Sequence, residues 1–213
     1  MRGICKRKAI VNLRYENRLT IAFAYDILYP KGRIVMDRKI KTSELCRMAL
    51  CVAFTCVSAY IAFPLPFTAV MITAQTFAVN LTALVLKPKQ ALLVQIIYTL
   101  IGIVGIPVFS GGTGGIGRLA GPSGGYIIGY IIAVFFISLF ARKKESAVRY
   151  ILATVCIGIP IIYVCGTAVM AAYVKKGLWA LISASVLPFI PLDIVKCVLA
   201  SYAALAIRKI VGK

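Results

Sequence analysis

The chain contains no histidine, and only six of its 213 residues are aspartate or glutamate. The first absence removes the commonest metal ligand and general base. The second leaves no cluster of carboxylates for acid–base work, so no enzyme activity, metal site or cofactor is expected. Seven cysteines are present, but the number is odd and no two are spaced C-x-x-C. Cys46, Cys51 and Cys56 recur every five residues, which scatters them around a helix, so they read as small buried hydrophobes. No G-x-x-x-x-G-K-[ST] occurs, which excludes ATP binding through a P-loop. Gly112-Thr113-Gly114-Gly115-Ile116-Gly117 spells G-x-G-x-x-G, but no strand precedes it and no βαβ unit surrounds it, so dinucleotide binding is set aside. Charge is scarce too. At 15% charged and 61% hydrophobic, the composition is far from that of a soluble domain and fits an integral membrane protein.

What charge there is has a pattern. The net charge is +19, yet the basic residues fall mostly at the ends of apolar runs, as the bias toward cytoplasmic Lys and Arg requires. Nucleic acid is therefore not the expected partner, and anionic lipid headgroups are. Residues 1 to 35 carry eight Lys or Arg and only Glu16 and Asp26 as acids. They hold no apolar run long enough to span a bilayer and no signal-peptide core with a cleavage site. They read as a basic N-terminal extension ahead of a start at Met36, the alternative being a basic arm lying on the membrane surface.

From residue 36 to 213 the apolar runs predict an all-α bundle of six transmembrane helices, at about 48–63, 68–86, 91–108, 122–140, 150–174 and 188–207. Arg38, Lys39, Lys41, Arg47, Lys87, Lys89, Arg142, Lys143, Lys144, Arg149, Arg208, Lys209 and Lys213 then fall on one side, against Arg118, Lys175 and Lys176 on the other. Both termini are thereby expected to be cytoplasmic.

Three features stand out within this frame. Gly105 to Tyr126 holds nine of the 17 glycines and lies between spans three and four, facing outward. Irregular backbone there is tolerated where it lines a cavity. Span two is rich in polar residues, among them Gln75, Thr76 and Asn80, and is expected to face the bundle interior. Asp193 and Lys196 are the acid and the base that fall inside a predicted span. Three residues apart on a helix, they share a face. Each alone in hydrocarbon costs about 2.5 to 3.5 kcal/mol, so the two either pair structurally or anchor a ligand. Small residues one turn apart, Ala49-x-x-x-Ala53 in span one and Gly121, Gly125 and Gly129 in span four, allow close helix approach.

Taken together, Thr73-Ala74-Gln75-Thr76-Phe77-Ala78-Val79, Gly105-Ile106-Pro107-Val108-Phe109, Gly111 to Gly115, Gly121-Pro122-Ser123-Gly124-Gly125-Tyr126 and Pro188-Phe189-Ile190-Pro191-Leu192-Asp193-Ile194-Val195-Lys196 resemble the BioY family. BioY proteins are biotin-binding S components of energy-coupling factor (ECF) transporters. The resemblance covers about Met36 to Ile207 and implies a six-helix S-component bundle in the plasma membrane. It also implies partners, a transmembrane T component and two ATPases, with Ala49 and Ala53 matching the family's docking motif for the T component.

Biotin presents two N–H donors and a carbonyl in its ureido ring, apolar rings and chain, and a carboxylate. Asp193 is expected to accept from the ureido N–H and Lys196 to donate to its carbonyl. Gln75 and Asn80 are expected to add amide contacts. Arg118 is a partner for the carboxylate or a solvated loop residue. Phe109 and Tyr126 wall the apolar rings or are ordinary interfacial aromatics, and Gly112 and Thr113 complete the expected set. The alternatives are an S component for another vitamin, or a non-transporting membrane subunit in which Asp193 and Lys196 merely pair.

Overall fold

The computed structural model describes residues 41–64, 71–142, 145–174 and 178–211. The extension expected over residues 1–35 lies outside the described residues, as do Lys143, Lys144, Lys175 and Lys176. In chain order the elements are α1 (Thr42–Ser58), β1 (Ala62–Phe63), β2 (Ile72–Thr73), α2 (Gln75–Val85), α3 (Pro88–Ile103), α4 (Ile116–Leu119), α5 (Gly124–Ala141), α6 (Ala147–Tyr173), α7 (Leu178–Ser185) and α8 (Ile190–Val211). Gly124–Ala141, Ala147–Tyr173 and Ile190–Ile210 are long and apolar enough to cross a membrane, and Gln75–Val85 and Pro88–Ile103 are shorter apolar helices.

Helix limits differ from the apolar runs where the backbone has another partner. Ile72 and Thr73 pair antiparallel with Phe63 and Ala62, and the Ala74 N–H donates to Ile61 O at 3.0 Å. The helix expected from residue 68 therefore starts at Gln75. Pro88 opens α3, where a proline has no intrahelical N–H bond to lose, and the Lys87 N–H donates to Gln90 Oε1 at 3.3 Å. The semi-polar connection around Trp179 is itself helical, as α7. Within α6 the turn Ala153–Gly158 is π-helical. Pro160 stands two residues beyond it and has no N–H for the carbonyl four residues back, a recognised place for a helix to widen.

α5 is the centre of the bundle, packing against α2, α3 and α6, while α8 packs along α2. A Cβ on Gly125 would stand 2.3 Å from Cys165 O, and one on Gly129 would stand 3.0 Å from Ile162 Cα. Hydrogen at these positions is what lets α5 and α6 touch backbone to backbone. Gly121, grouped with them by its spacing, lies in the turn before α5 and takes no part.

Val79, Leu84, Val94, Tyr130, Val134, Ile137 and Tyr150 form much of the shared core. Outside it, Leu50, Val57, Leu100, Phe136, Val164, Leu199 and Tyr202 are exposed. Helices apolar on both their inner and outer faces suit a lipid solvent. The polar residues of α2 point inward, with Gln75, Thr76, Asn80 and Thr82 all buried.

Candidate functional site

A cavity of two adjoining lobes lies between α2, α5, α6, α8 and the glycine-rich segment. Met71, Thr73, Tyr126 and Tyr130 line both lobes. Tyr126 and Tyr130 are one turn apart on α5, so they present their rings to the same side. The centre of a water-sized sphere can occupy about 40 Å³ of one lobe and about 30 Å³ of the other.

One lobe contains Asp193 and Lys196, with Tyr163 from α6 and Phe189 beside them. Lys196 Nζ donates to Asp193 Oδ1 at 2.9 Å and to the Thr73 carbonyl at 2.8 Å. The Tyr163 hydroxyl donates to Asp193 Oδ2 at 2.7 Å. Each oxygen of this buried carboxylate thus has one donor and keeps a lone pair for another. Lys196 likewise uses two of its three ammonium protons. The lobe thus sets an acceptor and a donor side by side, the complement of a group with N–H next to C=O.

The other lobe contains Arg118, Phe109, Ser110 and Ser123. Arg118 Nη2 donates to Ser110 O at 3.4 Å, and Arg118 Nε is buried with no hydrogen-bond partner among the described residues. A guanidinium has five N–H groups. One long bond leaves it underused, which suits an anion entering this lobe.

The segment carrying these residues closes on itself. Phe109 N–H donates to Thr113 O at 2.8 Å, and the tip between them contains Gly111 at φ 74 and Gly112 at φ 68, a left-handed conformation favourable only without a Cβ. Phe109 is buried and meets Tyr98 edge to face, with ring centres 5.8 Å apart.

Of the residues singled out from sequence, the fold brings Asp193, Lys196, Arg118, Phe109 and Tyr126 to one cavity. The others stand elsewhere. Gln75 lies behind the wall, accepting from Ser110 Oγ at 2.7 Å and donating to the Tyr98 hydroxyl. Asn80 is buried farther along α2 and donates to Cys197 Sγ at 3.2 Å, its Oδ1 lacking a partner among the described residues. Gly112 and Thr113 shape the tip, Thr113 Oγ1 donating to Ser110 O at 3.1 Å, and neither lines a lobe. Ala49 and Ala53 are exposed on α1.

Sequence reading missed Tyr163, Tyr130, Met71 and the Thr73 carbonyl. A signal was available for the tyrosines, whose hydroxyls need partners when buried. None was available for a backbone carbonyl.

Residues 36–213 match the model of the BioY family. A biotin transporter BioY from Thermotoga maritima is 39% identical over 170 residues, covering 78% of this chain and 96% of that protein. A probable biotin transporter BioY from Pyrococcus horikoshii is 42% identical over 160 residues, covering 74% of this chain and 91% of that protein. Among solved structures, the S-component for biotin from an ECF-type ABC transporter is similar with a TM-score of 0.75 at 26% identity, covering 82% of this chain and 95% of that chain.

Proposed function

The chain belongs to the BioY family, and from that premise we propose that it is the biotin-binding S component of an ECF-type transporter. It is a membrane protein that captures a vitamin and catalyses no reaction. The observation that carries the reading is the bipolar cavity, with Asp193 and Lys196 in one lobe, Arg118 in the other, and Tyr126 and Tyr130 lining both.

In this reading the ureido ring lies against Asp193 and Lys196. One ring N–H donates to a free lone pair of the carboxylate, and the remaining ammonium proton meets the carbonyl. The fused rings lie along Tyr126 and Tyr130, and the aliphatic tail leads the carboxylate to Arg118 under Phe109. Gln75, Asn80, Gly112 and Thr113 then support the cavity instead of lining it. Lys196 balances Asp193, so neither stands as an isolated charge in a low-dielectric setting.

Capture alone does not drive transport. The chain has no P-loop, so energy comes from two ATPases through a T component. The exposed Ala49 and Ala53 on α1 offer the small-residue surface on which another membrane helix can pack closely. Six crossings of the plasma membrane, both termini cytoplasmic and the glycine segment outward complete the proposal, supported by the distribution of Lys and Arg.

Uptake of radiolabelled biotin by cells expressing the chain with and without a T component and ATPases tests it. Unlabelled biotin should compete while thiamine and riboflavin do not, and Ala49→Leu with Ala53→Leu should abolish the stimulation by the ATPase module. Equal competition by all three vitamins would overturn the assignment of biotin.

A further inference from the structure

Gln75 and Tyr98 are buried, polar and outside the cavity lining, yet they connect to the part of the glycine-rich segment that forms the wall. Ser110 Oγ donates to Gln75 Oε1 at 2.7 Å, Gln75 Nε2 donates to the Tyr98 hydroxyl, and that hydroxyl donates to Val108 O at 3.0 Å. The chain of bonds begins on Ser110 and ends on Val108, two residues apart, and runs through α2 and α3 between them. Phe109, held between the two anchor points, packs its ring against Tyr98. The Ser110 carbonyl in turn accepts from Arg118 Nη2 and Thr113 Oγ1. Both polar atoms of the Gln75 side chain are therefore engaged, and the residue it holds by its hydroxyl, Ser110, also carries the carbonyl on which the Arg118 guanidinium rests.

We infer that Gln75 and Tyr98 are positioning residues: through Ser110 and Val108 they hold Arg118 at the cavity, and so set the preference for a ligand with a free carboxylate, without touching the ligand. The inference rests on the placement of the biotin carboxylate at Arg118 proposed above. A pre-set guanidinium loses little conformational freedom when the anion arrives, whereas a loosened one must be ordered at that moment. Tyr98 contributes a rigid ring with one hydroxyl that both accepts and donates, so Tyr98→Phe removes both bonds with almost no change in volume.

The test is calorimetric binding of biotin and of biotinamide, which lacks the anionic carboxylate, to the purified full chain and to Gln75→Leu, Tyr98→Phe and Arg118→Ala. The quantity read is the preference for biotin over biotinamide. The parent should prefer biotin, and Arg118→Ala should abolish the preference. Gln75→Leu and Tyr98→Phe should each reduce it about fivefold to tenfold, the scale of one lost hydrogen bond, and the double variant should lose little more than either single one, since both break the same chain.

A role in stability alone would weaken both ligands alike and leave the preference intact, and that result overturns the inference while leaving the site standing. A parent without preference for biotin over biotinamide instead overturns the placement of the carboxylate at Arg118. A parent that binds neither overturns the site, and the inference with it. Should Gln75→Leu not fold, the isosteric Tyr98→Phe decides alone.

Discussion

A carboxylate in hydrocarbon needs hydrogen-bond donors, and Asp193 has one on each oxygen: Tyr163 at 2.7 Å and Lys196 at 2.9 Å. The two donors do different work. Lys196 supplies charge and also reaches Thr73 O, tying α8 to the strand pair. Tyr163 supplies direction, fixing the carboxylate plane from α6. Tyr163→Phe keeps the ring and removes the direction. It should cost biotin binding about 1.5 to 3 kcal/mol, the scale of a hydrogen bond to a charged group. Titration of the purified variant would show the loss, and parent-like affinity would mean that Asp193 is oriented without it.

Asp193 and Lys196 were legible in the sequence because charge inside an apolar run is rare and expensive. Gln75 and Asn80 drew notice for the same reason, but cost in lipid says only that a side chain needs a partner. For Gln75 that partner is Ser110 and Tyr98, and for Asn80 it is Cys197.

Among the elements, α5 decides the packing. Its small residues are set by their neighbours: Gly129 leaves 3.0 Å between a would-be Cβ and Ile162 Cα on α6. Gly129→Leu must push the two helices apart and should destabilise the bundle by about 1 to 3 kcal/mol, the usual cost of overpacking. A lower midpoint of thermal unfolding in detergent is the expected result, and an unchanged midpoint would show that the α5–α6 crossing is not close-packed in the membrane protein.

Element limits were only partly legible. Apolar runs report what lipid tolerates, not where hydrogen bonds begin, so the strand pair Ala62–Phe63 with Ile72–Thr73 passed for helix. The π-helical turn Ala153–Gly158 is a similar case, since Pro160 signals a disturbed helix without saying how the backbone bonds re-form around it. Close helix approach at Gly125 and Gly129 was legible because the spacing of small residues and the contact share one period.

For the whole molecule, the sequence spoke clearly about class and quietly about sidedness. Exposed Leu50, Leu100, Val164 and Leu199 on the outer faces agree with a chain dissolved in lipid. The proposed sidedness rests on where the basic residues fall. Gly117 has open space around it, and Lys89 is exposed at the start of α3. In a background without native cysteines, Gly117→Cys should react with a membrane-impermeant maleimide on intact cells and Lys89→Cys only after permeabilisation. The reverse pattern would place the glycine-rich segment in the cytoplasm and contradict capture from outside.

Binding itself is the most direct measurement. Biotin titrated calorimetrically into the detergent-purified chain should bind tightly, and Asp193→Asn and Lys196→Met should each lose about 2 kcal/mol or more, as expected when a buried charged hydrogen bond loses its partner. A folded parent that binds no biotin, or variants that bind it as well as the parent does, would contradict the account and leave Asp193 and Lys196 as a structural ion pair.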